Sequence, residues 1–202
     1  MKAESKPRAK DPTPIGVSAV DNIRYIRSTI EAANTFTTIP GRGCILMGAI
    51  ALLAATAELV PAFASYWLPI WLIAAVASST IGLYFMSAKA KQEGLNLGRA
   101  ISVRFFLTLA PAFIAGGILT VALIDVVPRV AIAGIWLLTY GIGIAACGVF
   151  SITLVLIAGF AFMGLGAVAL FAPNAWAAAL LALGFGGIHL ALGALVMRDY
   201  GG

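Results

Sequence analysis

The chain contains one histidine, His189, and it stands in the apolar run FGGIHLALG. Three roles are open to an imidazole in such surroundings. Beside Ala182, Phe185, Gly186 and Gly193 on its helical face, it can hydrogen-bond a carbonyl or hydroxyl of a facing helix and act structurally. It can move a proton or hold a ligand, because ionisable groups at membrane depth are costly and mark functional sites. Or it can ligate haem, with Met163, another methionine, or His189 of a second copy as the other axial ligand.

Glu58, Asp125 and Arg129 form a second group, at the ends of apolar stretches that would bring all three to one level of a membrane. Opposite charges there lower each other's desolvation cost, which makes a capping ion pair. The alternative is the mouth of an ion or substrate path. A path needs polar groups at more than one depth, and the deeper candidates are Ser78, Ser79, Thr80, Thr139, Tyr140 and His189.

Other chemistries lack their residues. No GxSxG nucleophile stands with a histidine partner, no two aspartates share an apolar run, and no HExxH or Cys/His cluster occurs. Cys44 and Cys147 are far apart and read as small apolar residues at helix ends. The glycines from Gly141 to Gly193 have no phosphate-binding motif around them. They read as packing seams, including an oligomer face. The expectation is a non-enzymatic protein with no metal and no resident cofactor, haem being the one cofactor that His189 leaves open.

These residues must be positioned by membrane helices. Apolar residues make up 61% of the chain and charged residues 10%, far from the roughly 25% charge of a soluble domain. So little charge cannot cover a water-facing surface, and lipid must be the main solvent. The net charge of +5 does not point to nucleic acid. Seven of the 13 Lys and Arg fall in residues 1–42 and four more between Lys89 and Arg104, beside apolar runs and without interleaved aromatics.

Residues 1–17 read as a polar, proline-bearing tail. Residues 18–40 hold an amphipathic helix, from Ser18 to about Phe36. Val20, Ile23, Ile26, Ile30 and Ala33 share one face, with Arg24 and Arg27 elsewhere on the helix. Such a helix, too polar to cross a bilayer, is expected to lie on the lipid surface or meet a protein partner through Ile23, Arg24, Ile26, Arg27 and Ile30. Residues 41–202 supply six spans of about 20 residues, near 44–64, 66–86, 103–123, 130–149, 153–171 and 176–197. The fold class is therefore all-α, a polytopic membrane bundle of six transmembrane helices preceded by an interfacial helix. With the N-terminus cytoplasmic, inside positions carry 12 basic residues and the outside only Arg129. Both termini are thus expected inside, in a bacterial inner membrane.

The stretch DNIRYIRSTIEAANTFTTIPGRG leading into LMGAIALLA, with the ending GFGGIHLALGALVMRDYGG, resembles a group of bacterial membrane proteins. Their layout is an amphipathic helix followed by six spans. The resemblance implies that architecture and brings no activity and no site residues. A binding, accessory or sensory membrane subunit is therefore expected, in contact with the lipid bilayer and with a protein partner or a second copy. A small transporter or channel, and a haem-binding electron-transfer subunit, are the alternatives.

Overall fold

The structure, a computed structural model, describes residues 21–25, 39–92 and 100–200, with the backbone alone for residues 90, 92 and 100–104. The chain divides into two compact units, Met1–Thr35 and Phe36–Gly202. In the first, residues 21–25 are helical, Arg24 lies 3.7 Å from Asp21, and Ile23 is exposed. The other expected contact residues of that helix, Ile26, Arg27 and Ile30, lie outside the described residues.

The second unit is a helical bundle of membrane spans, and its described residues contain no strand. Helix α1 is Gly41–Glu58, α2 Trp67–Gln92, α3 Ala100–Leu123, α4 Arg129–Gly148 and α5 Thr153–Phe171. The sixth span, Asn174–Tyr200, is composite. It contains α6 (Ala177–Leu181), a π-helical segment (Ala182–Ile188) and α7 (His189–Tyr200). Among the described residues six helices are thus long and apolar enough to cross a bilayer, which makes the chain a multi-pass membrane protein.

Two spans differ from their expected course. The first helix stops at Glu58 rather than running to Ala64. Pro61 has no N–H to donate and disfavours helix at the residue before it. The chain therefore turns, with Val60 N–H on Ala57 O and Phe63 N–H on Val60 O. The sixth span widens into a π-helix where Gly184, Gly186 and Gly187 cluster. Pro128 precedes α4, and Asn174 Oδ1 accepts the Val130 N–H at 3.1 Å, so the residue that opens the sixth span, 44 positions away, satisfies a donor of the first turn.

Two close helix pairs form the core. On α4, Gly134, Gly141 and Gly148 recur every seven residues, and on α5 so do Gly159 and Gly166. A Cβ on Gly141 would stand 2.8 Å from Gly159 O, and one on Gly166 2.7 Å from Leu138 N. The α1–sixth-span pair repeats the device with Gly41 and Gly48 against Gly186 and Gly193. There a Cβ on Gly48 would meet Gly186 O at 2.8 Å, and one on Gly193 would meet Gly41 O at 2.7 Å. A seven-residue repeat keeps each seam on one helix face. Backbone approach then supplies the dispersion contact that lipid cannot supply by hydrophobic drive.

The other two helices are outriggers. Helix α2 packs on α1 and α3 packs on α4, but α2 and α3 share no substantial contact. Only 6% of the α2 span and 11% of the α3 span are buried, against 61% of α4. Gly143 admits Leu109 and Ala112, Trp136 Nε1 donates to Thr120 Oγ1 at 2.9 Å, and Cys147 Sγ donates to Phe105 O at 3.4 Å, all tying α3 to α4. The gap between the outriggers is where the candidate site lies.

Candidate functional site

The π-helical segment sets the histidine. His189 N–H bonds to Gly186 O, and the Phe185 carbonyl accepts from His189 Nδ1 at 2.9 Å. A carbonyl can only accept, so Nδ1 carries a proton. In the neutral ring Nε2 is then an acceptor, and Tyr140 O–H donates to it at 2.9 Å. His189 is 5% exposed and Tyr140 8%. Both polar groups are therefore satisfied in a place where an unpaired one would cost several kcal/mol, on the order of 2–7. Of the three roles open to His189, the cross-helix hydrogen bond to a hydroxyl is present. Met163, one of the options for a second haem ligand, lies on the α4–α5 seam against Gly141, and the Nε2 lone pair is taken by Tyr140.

Aromatic rings close round this pair. Tyr140 has Phe162 at 4.9 Å, Phe185 at 5.1 Å and Phe113 at 5.9 Å between centroids, and Trp71 lies 6.4 Å from Phe185. Such tilted and edge-on arrangements suit the ring quadrupoles.

Between this cluster and the outriggers lies a cavity of about 320 Å³. Its α2 wall is one helical stripe, Trp71, Ala75, Ser78, Gly82 and Met86, spaced by three and four residues. Facing it are Phe105, Phe106, Leu109 and Phe113 of α3, Trp136 and Tyr140 of α4, Phe185 and His189 of the sixth span, and Met47 of α1. The wall holds no Lys, Arg, Asp or Glu. From Trp67 to Met86 it follows α2 for 19 residues, about 28 Å at 1.5 Å per residue. That is nearly the hydrocarbon thickness, roughly 30 Å.

The charged group of the sequence divides. Glu58 and Arg129 form an ion pair, with the Glu58 side chain 3% exposed. Trp71 Nε1 donates to Glu58 Oε2 at 2.8 Å, and the Arg129 guanidinium lies 5.1 Å above the Trp67 ring. This cluster fastens α1, α2 and α4 at one end of the bundle. Asp125 does not join it. It is exposed in the turn after α3 and forms no ion pair with Arg129. The turn Ile124–Val127 sends it outward, where a carboxylate keeps its solvation.

Trp67 and Trp71, which hold Arg129 and Glu58, are side chains of the site that sequence reasoning did not single out. Their spacing of four residues, with Trp71 thirteen residues after a buried-level carboxylate, was the available signal. Thr80 and Thr139 each donate to a carbonyl of their own helix and contribute nothing to the cavity. No protein-family model, no curated protein and no solved structure matches the chain.

Proposed function

We propose that this is a non-enzymatic membrane binding protein, an accessory or sensory subunit, that takes an apolar ligand from the bilayer into the cavity beside α2. The single observation that carries the proposal is the charge-free, aromatic-lined cavity flanked by two helices that pack on the core but not on each other. Pockets of 300–1,000 Å³ lined by apolar and aromatic side chains with a few polar groups are the usual form of small-ligand sites. A ligand already dissolved in lipid needs no aqueous route, and the open flank between α2 and α3 faces lipid. The polar groups on these walls, Ser78, Ser79, Tyr140 and His189, are gathered at one depth, whereas an ion path needs polar steps at several depths, which weighs against the channel reading. The distribution of Lys and Arg supports an inner-membrane setting with both ends cytoplasmic. In that setting the basic helix from Ser18 would lie on the lipid surface or meet a partner, reporting whether the cavity is filled.

The test uses the full chain in lipid nanodiscs and the apolar fluorophore N-phenyl-1-naphthylamine. Ala75 lies on the cavity stripe of α2, so Ala75→Phe fills the space from an outrigger without touching the core. Saturable fluorescence enhancement in the wild type that is lost in Ala75→Phe is expected. Equal, non-saturating uptake by both, as in empty nanodiscs, would show that the cavity takes nothing.

A further inference from the structure

Resting on the cavity reading above, we infer that the ligand is a flat ring bearing oxygen on an apolar tail, the quinone, quinol and long-chain phenol class, held at mid-membrane depth between Ser78 and Tyr140. The first ground is where the polar groups lie. Arg129 stands over the Trp67 ring, so the starts of α2 and α4 are level. Ser78 is eleven residues beyond Trp67, and Tyr140 is eleven beyond Arg129. Both therefore sit about 16 Å down their helices, and His189 joins them through the Tyr140 hydroxyl. Ser78, Ser79, Tyr140 and His189 thus make one polar band across the cavity. On α2 the wall is purely apolar on either side of it, from Trp67 to Ala75 and from Gly82 to Met86. A ligand that is only a hydrocarbon chain gives no reason for such a band, since polar groups there are costly.

The second ground is hydrogen-bond capacity. Thr56, Thr80, Ser87, Thr120 and Thr139 each return their hydroxyl proton to a carbonyl of their own helix. Ser78 and Ser79 do not, and among the described residues neither hydroxyl has a partner. Ser78 is half-buried and on the cavity stripe, so it has a proton to donate. The Tyr140 proton is committed to His189, and the phenol oxygen keeps lone pairs to accept with. A donor on α2 and an acceptor on α4 match the carbonyl and hydroxyl oxygens of a ring between them. An ionised head group does not fit, because the wall offers it no counter-charge.

The third ground is shape. Phe113, Trp136, Phe162, Phe185 and Trp71 present ring faces and edges around the band, the surroundings in which a flat ring gains contact beyond its buried area. The tail would follow the apolar stripe.

The experiment titrates decyl-benzoquinone into the nanodisc protein and reads quenching of Trp71 and Trp136, which line the cavity. Decylcyclohexane, with the same tail and no oxygen, is the competitor. Saturable quenching is expected. Ser78→Ala should weaken it about tenfold, the worth of one hydrogen bond, and Ser78→Thr should restore it. Tyr140→Phe should weaken it as well. Should Tyr140→Phe fail to fold, Ser78→Ala decides alone, since α2 is scarcely packed. If decylcyclohexane competes as well as the quinone displaces itself, or Ser78→Ala changes nothing, the ring assignment is overturned while the cavity keeps its apolar ligand. If neither the quinone nor N-phenyl-1-naphthylamine binds, both readings fail together.

Discussion

A carboxylate carried to the membrane level of Glu58 must lose its water, and the residues round it decide what that costs. Glu58 has Arg129 on one oxygen and Trp71 N–H on the other, and Arg129 rests on Trp67. Glu58→Gln keeps the tryptophan bond and leaves the guanidinium without its counter-charge. It should cost about 2–3 kcal/mol, less than a fully enclosed pair because Arg129 is partly exposed. Asp125→Asn should stay within about 0.5 kcal/mol, as exposed sites do. Unfolding midpoints in detergent separate these, and equal losses at the two positions would contradict the division of the charged group. Glu58 and Arg129 could be matched from the sequence because each stands at the same end of its span. Asp125 passes the same criterion and still stays out, since the turn it sits in sets its direction and residue type does not. The Tyr140–His189 bond was hidden for a related reason. Their depths can be counted along the helices, but which face of α4 meets which face of the sixth span depends on packing.

Helix placement follows from backbone approach. The α4–α5 seam leaves no room at Gly159, where a Cβ would stand 2.6 Å from the Cα of Ala145. Gly159→Ala should cost about 1–3 kcal/mol through overpacking. Gly164, five residues on, has nothing within 4 Å of its Cβ position, so Gly164→Ala should be neutral or slightly stabilising, the helix-propensity gain being at most about 1 kcal/mol. Stability against SDS unfolding reads both, and equal sensitivity at the two glycines would contradict the seam. The seven-residue recurrence of glycine is visible in the sequence, and it marks real seams on α1, α4, α5 and the sixth span. It also separates Gly166, seven residues after Gly159 and packed on Leu138, from Gly164, which has no glycine seven residues away and faces outward. The π-helical segment was not legible. Its glycines permit the widening, but only contact of Gly186 with α1 and of Gly184 with Leu137 gives it a reason. The first span ended early because Pro61 acts locally, a signal the sequence does contain.

At the scale of the whole molecule, two glycine-seamed pairs make the centre of the bundle, α2 hangs on it through α1 and α3 through α4, and the cavity lies between them. The six spans were readable because hydropathy and length are properties of each segment alone. The cavity was not, because it is the space left where α2 and α3 fail to meet, and no single segment records that. Of the N-terminal segment expected to meet lipid or a partner, the described residues 21–25 are helical, with Ile23 and Arg24 exposed. The central claim is that the space holds a bilayer-borne molecule, and native mass spectrometry of the protein released from its own membrane in mild detergent tests it most directly. The account predicts one small apolar adduct on the wild type, absent from Ala75→Phe purified alongside. A bare wild type, or the same bulk phospholipids on both proteins, would contradict it.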